Sequence, residues 1–130
     1  MKKQSQRPRL PAVSEEMKAW SAALGGEIGG WPRVRAKSFF GLSAFYRNDT
    51  IFALLPRTRA MESPSSLAFK FETPTAAVRT RLEADQRVGS LQMQNARWFS
   101  FEVSSDTDLH DALDWLGLAY QCAGKKKKSK

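Results

Sequence analysis

Between residues 33 and 72 the chain alternates polar and apolar side chains with a period of two, rich in aromatics and interrupted by turn residues. Such a period places successive side chains on opposite sides of an extended backbone, so it specifies strands and excludes an amphipathic helix. Four strands are expected here. Residues 33 to 39 alternate Arg33, Arg35 and Lys37 with Val34, Ala36 and Ser38, the pattern of a half-buried strand with a cationic outer face. The second strand covers residues 41 to 47. Asn48-Asp49 then turns the chain into Thr50-Ile51-Phe52-Ala53-Leu54-Leu55, whose unbroken apolar character suits a strand central in the sheet or covered on both sides. Residues 56 to 66 form a polar loop longer than the usual ~4 to 6 residues, a candidate working element. Leu67, Phe69 and Phe71 next point one way, with Lys70 and Glu72 the other, giving the fourth strand.

Helical periodicity frames this meander. Ser14 followed by Glu15 and Glu16 reads as an N-cap with acidic residues at the positive end of the helix dipole. Met17, Trp20 and Leu24 form one apolar stripe, and Gly25-Gly26 is the expected stop. Gly25-Gly26-Glu27-Ile28-Gly29-Gly30 has the glycine content of a phosphate loop. Such a loop needs a strand before it and a helix after it, whereas here a helix precedes and Trp31-Pro32 follows, so a plain connector is preferred. Thr73-Pro74 opens a second helix, to about residue 86, with Arg79 and Arg81 outward. Residues 96 to 103 alternate again as a fifth strand, with Trp98 on its less apolar face. Leu109, Leu113, Leu116 and Tyr120 make the stripe of a third helix ending at Gly124. The expected order is α-β-β-β-β-α-β-α: an α+β class, an antiparallel sheet of about five strands with three helices on one face. At 130 residues this is a single domain over residues 13 to 124, between a basic disordered arm, 1–12, and a disordered Lys-rich tail, 125–130.

The net charge of +8 is peripheral. Nine of the 21 basic residues lie in the two tails, leaving 12 against 13 acidic residues in the body. Within the body the signs separate. Arg33, Arg35, Lys37, Arg47, Arg57 and Arg59 face only Asp49 between residues 33 and 59. Residues 101 to 114 carry Glu102, Asp106, Asp108, Asp111 and Asp114 with no Lys or Arg, an end expected to attract cations. No apolar run approaches the ~18 residues of a membrane span. The basic N-terminus leads to Pro11 rather than to an apolar signal core, so a cytoplasmic location is expected. One cysteine, Cys122, and one histidine, His110, fall short of a disulfide or a zinc site.

Phe39-Phe40-Gly41-Leu42-Ser43-Ala44-Phe45-Tyr46, a turn, and Ile51-Phe52-Ala53-Leu54-Leu55 resemble the N-terminal hairpin of TfoX-like proteins. Leu67-Ala68-Phe69-Lys70-Phe71 is similar to the strand that follows it. Met93-Gln94-Asn95-Ala96-Arg97-Trp98, ahead of a strand and a helix with Asp111-Ala112-Leu113 and Ala119-Tyr120, is similar to the Met-Asn-Lys-x-His-Trp segment of the MmcQ/YjbR-like family. Gln94, Asn95 and Arg97 replace that family's Asn, Lys and His. The resemblance covers about residues 34 to 122. It implies a CyaY-like α+β fold and a DNA-binding role that is itself inferred from fold, and it brings no catalytic residues.

The expected function is therefore non-enzymatic binding of nucleic acid, DNA or RNA, through backbone phosphates. The candidate residues are Arg33, Arg35, Lys37, Arg47, Arg57 and Arg59, with Trp98, or alternatively Tyr46, available to stack on a base. The competing explanation of the cations is a solvated sheet edge guarded against aggregation. The alternative function is a TfoX-like regulatory module that binds a protein partner and no nucleic acid. No cofactor and no metal are expected: the aspartates near His110 sit where a helix dipole favours them, and Cys122 lacks a second histidine to activate it.

Overall fold

Ser14 begins the first helix: its extended backbone and its hydroxyl, which accepts the Met17 N–H at 3.1 Å, cap α1 (Glu15–Ile28). The computed structural model describes residues 12–60, 63–90 and 97–124, so nearly all of the N-terminal arm, the whole Lys-rich tail and residues 93 to 96 of the Met93–Trp98 segment lie outside the described residues. The glycine pair does not stop α1. The helix passes through Gly25 and Gly26 to Ile28, which is fully buried with Met17 and Leu24. Burying one Ile side chain contributes ~1.5–3 kcal/mol, comparable to the cost of two helical glycines at ~1 kcal/mol each. Gly25 faces the sheet, where a Cβ would make only ordinary contacts, 3.5 Å from the Phe45 ring and 3.7 Å from Leu55.

The strands are β1 (Val34–Phe39), β2 (Leu42–Arg47), β3 (Thr50–Pro56), β4 (Ser66–Lys70), β5 (Val88–Ser90) and β6 (Trp98–Glu102). With α2 (Ala76–Ala84) and α3 (Asp108–Gly124) they make an α+β fold with an antiparallel sheet in the order β1-β2-β3-β4-β6-β5. The strand beyond the five expected is β5, three residues at one edge. Thr75, not Thr73, caps α2 by accepting the Val78 N–H at 3.2 Å.

Cross-strand partners share a face, so the register sorts the core. On one face Phe45, Leu55, Leu67, Phe69, Phe99 and Phe101 meet α1 and α3, and α2 adds Val78 and Leu82. Phe69 lies flat on Trp115 at 5.7 Å between ring centroids, with Phe71 edge-on at 6.2 Å. A bulge opposite Phe45 and Tyr46 sends both Phe52 and Ala53 into this core, where the Phe52 ring meets Trp31 and Tyr120. The other face carries a smaller cluster of Leu42, Ala44, Leu54 and Ala68, flanked by Tyr46, Ile51 and Trp98, and no described helix contributes to it.

The long loop after β3 is a strap. The Gly41 carbonyl accepts the N–H groups of Arg57, Thr58 and Arg59 at 3.1, 2.9 and 3.1 Å. Thr58 and Pro64 in turn accept from Val13 and Ser14 at the start of α1. Gly41 has φ +84°, and a Cβ on it would fall 2.7 Å from Arg59 Cγ and 2.8 Å from Thr58 Oγ1. Gly41→Ala should therefore cost ~1–3 kcal/mol and lower the melting temperature by several degrees. Gly26→Ala, which meets nothing within 4 Å on α1, should raise it. Thermal denaturation of the two variants checks both signs.

Candidate nucleic-acid interface

Among the described residues strand β1 pairs only with β2 and forms an edge of the sheet. The half-buried strand expected from its alternation is not what forms. Every residue of β1 but Val34 is exposed, on both faces, because the helices pack over the strands beyond it. The expected cationic face is accordingly a cationic edge. Arg35 and Lys37, opposite Tyr46 and Ala44, lie on the face away from the helices. Lys37 Nζ stands 5.8 Å from the Tyr46 ring centroid and has no carboxylate partner among the described residues. Arg35, its side chain 63% exposed, reaches Asp49 and the Asn48 carbonyl, both at 3.4 Å. Geometry that loose and exposed holds the guanidinium weakly. Arg57 comes round the other side of the edge, where its Nη1 donates to Ser38 Oγ at 2.8 Å. With Lys18 it borders a cleft of about 330 Å³ floored by Phe45, Leu55 and Pro56.

Of the remaining expected residues, only Arg59 lies close to the hairpin tip. Arg33 precedes β1 at φ +66°, at the Asn48 end of the hairpin, with its carbonyl accepting the Asn48 N–H. Arg47, opposite Val34, turns to the helix side, donates to the Tyr120 carbonyl at 3.0 Å and lies 4.2 Å from the Tyr120 ring. It ties α3 to the sheet. Arg59 is partly buried beside Gly41 and bridges Ala12 through its backbone. Trp98 is partly buried against the smaller apolar cluster, opposite Lys70 on β4.

The tip of the β1–β2 hairpin carries what the sequence reading passed over. Phe40 and Gly41 make the two-residue turn with φ +49° and +84°, both left-handed, as in a type I′ hairpin. Phe40 is 81% exposed and Phe39 41%, with the two rings packed edge to face at 4.9 Å. Asn, Asp and Gly are the residues that suit the first turn position, and a left-handed non-glycine costs ~1–3 kcal/mol. The expected strands, 33 to 39 and 41 to 47, leave only Phe40 between them, and the signal for this turn is Gly41, a residue that tolerates the left-handed conformation.

At the acidic end the expected pull on cations is largely cancelled from within. Arg87 donates to Asp85 and Asp108 at 2.9 Å and pairs with Asp111 at 3.0 Å, its guanidinium 4.8 Å from the Phe101 ring. Asp106 accepts from Trp20 Nε1 at 2.7 Å, and Glu102 from Ser63 at 2.6 Å. Among the described residues no three His, Cys, Asp or Glu side chains are grouped to hold a metal ion. Cys122 Sγ, partly buried, accepts the Thr73 N–H at 3.3 Å. Among the described residues no helix is long and apolar enough to cross a membrane.

Neither a family model, nor a curated protein, nor a solved structure matches this chain.

The Arg87 network has a consequence for stability against acid. Hydrogen bonds from Arg87 hold the Asp85 carboxyl below its usual value of 3.8, and the Ser104 N–H, with Arg87, does the same for Asp108. A carboxylate depressed in the folded state stabilises the fold above its unfolded pKa and loses that contribution as pH falls through the folded value. Stability should therefore decline below about pH 4. Arg87→Met should cost about 1–3 kcal/mol at neutral pH and flatten the decline, as read from urea midpoints across the acid range.

Proposed function

We propose that this protein binds nucleic acid through backbone phosphates, as a cytoplasmic binding protein rather than an enzyme, using the β1–β2 hairpin edge. The observation that carries the reading is a strand exposed on both faces that bears Arg35 and Lys37 on one side and borders Arg57 on the other. An edge of this kind fits between the backbones of a nucleic acid, and cations on both flanks reach phosphates without requiring a deep groove. Asp49 is the only acid from residue 33 to 60, and it sits at the far turn. The DNA-binding role implied by the resemblance to YjbR-like proteins agrees with this reading.

A second reading, the TfoX-like module that binds a protein, draws support from the same edge, whose outer backbone groups are unpaired by any described strand. A partner strand added there would need acidic side chains opposite Arg35 and Lys37.

Fluorescence anisotropy over a series of salt concentrations tests the first reading. Each phosphate contact contributes roughly 0.7–0.9 to the slope of log affinity against log salt. The triple variant Arg35→Ala, Lys37→Ala, Arg57→Ala in the full chain should lower that slope by about 2–3 and weaken binding to all sequences alike. Replacing Lys125, Lys126, Lys127, Lys128 and Lys130 by Ala should leave this difference intact. If the tail variant abolishes binding and the triple variant binds like the parent, the hairpin edge is not the reader.

A further inference from the structure

The hairpin tip sets a problem that folding does not answer. Phe40 holds a left-handed backbone that its side chain disfavours, and 81% of the residue faces water. Its ring touches little beyond Phe39, itself 41% exposed, so neither the backbone conformation nor the apolar exposure is recovered in the core. Asn at the same position would relieve the backbone and remove the exposed ring. Strained, exposed aromatics of this kind are kept where they contact a ligand.

The charge around the tip says which ligand. Lys37 lies two residues from Phe39 on the same face of β1, and Arg57 reaches Ser38 from the other face. Two cations thus flank the pair of rings, while Asp49 occupies the opposite end of the hairpin. Exposed rings bordered by cations match a base with its attached phosphate: the ring offers a stacking surface that any base can use, and the cations take the backbone. Bases inside a duplex are already stacked on both sides and offer the tip nothing but an end.

We infer that Phe40, with Phe39 behind it, is a stacking platform for an unpaired base, so that the hairpin edge prefers single-stranded nucleic acid over duplex. The inference rests on the phosphate-binding reading above and specifies the kind of nucleic acid it takes. Trp98 and Tyr46, the aromatics suggested by sequence, are partly buried against the smaller apolar cluster and present less of their rings.

The test compares Phe40→Asn with the parent full chain at one fixed salt concentration. The probes are a labelled oligothymidylate, longer than the ~4–16 nucleotides that a binding fold occupies, and the same strand annealed to its complement. The parent should bind the single strand more tightly. Phe40→Asn should weaken that binding roughly five- to hundredfold, leave duplex binding within about twofold, and melt at or above the parent temperature. Phe40→Trp should restore the preference. Because both variants keep the tails and the cations, a loss confined to the single strand is assigned to the ring. If the parent binds both probes equally and Phe40→Asn changes neither, stacking is overturned while the salt slope of the cation variants still supports phosphate binding. If the parent binds neither probe, stacking and the phosphate reading fall together.

Discussion

The helices leave one edge of the sheet uncovered. Six strands at ~4.8 Å spacing span roughly 24 Å between the first and the last, a width of two to three helices at about 10 Å each, so it is their placement that decides which strand stays bare. Both α1 and α3 lie across β3, and α3 also reaches β2 and β4, drawn there by the aromatic stack of Phe69, Phe71 and Trp115. At the far side α2 closes the core through Leu82 and Val78. What remains is β1, held by one ladder to β2 and bare on both faces. The exposed hairpin is thus a product of where the largest side chains found their partners.

Electrostatics divides the molecule along the same line. On the β5–β6 side, Arg87 draws three aspartates together, and Lys70 and Arg97 pair with Glu72, so charges there are consumed in holding the fold. On the β1 side Arg57, Lys37 and Arg35 meet a hydroxyl, an aromatic ring and a single exposed carboxylate. Charges satisfied internally contribute to stability against pH, whereas exposed unpaired ones contribute to the field that a polyanion meets. A chain whose folded body carries more acids than bases can for this reason still present a basic edge.

Period two and local caps made the strands and the first helix start legible, because both signals depend only on neighbours along the chain: Ser14 caps α1 and the meander forms where its alternation lies. Three features were not local. The glycine pair stays helical because Ile28 is buried by a distant sheet. Arg47 reads like Arg35 in the sequence, yet the pairing of Val34 with Arg47 and of Arg35 with Tyr46 puts the two on opposite faces, one under Tyr120 and the other in water. The acidic stretch looked unpartnered because Arg87 lies outside it and arrives through the three-residue β5, too short to leave a periodic trace. Of the candidate interface, Arg35, Lys37 and Arg57 are legible as cations, while Phe39 reads as the end of a strand and Phe40 falls between two strands with nothing local to mark it as exposed.

An exposed hairpin could be too loose to bind anything selectively, since ordering it on contact would consume much of the interaction. Here the tip is fixed from behind. The Gly41 carbonyl takes three N–H donors from the strap, the strap hands two carbonyls to the start of α1, and Ser14 at that point caps the helix whose Met17 is buried in the core. A chain of backbone hydrogen bonds therefore runs from the core to the residue beside Phe40, without using any exposed side chain of β1. Anchorage and presentation are separate, which leaves the side chains at the tip open to change with little effect on the backbone that carries them. A rigid support with a replaceable ring at its end is the arrangement in which an aromatic side chain can be tuned for a ligand independently of the fold.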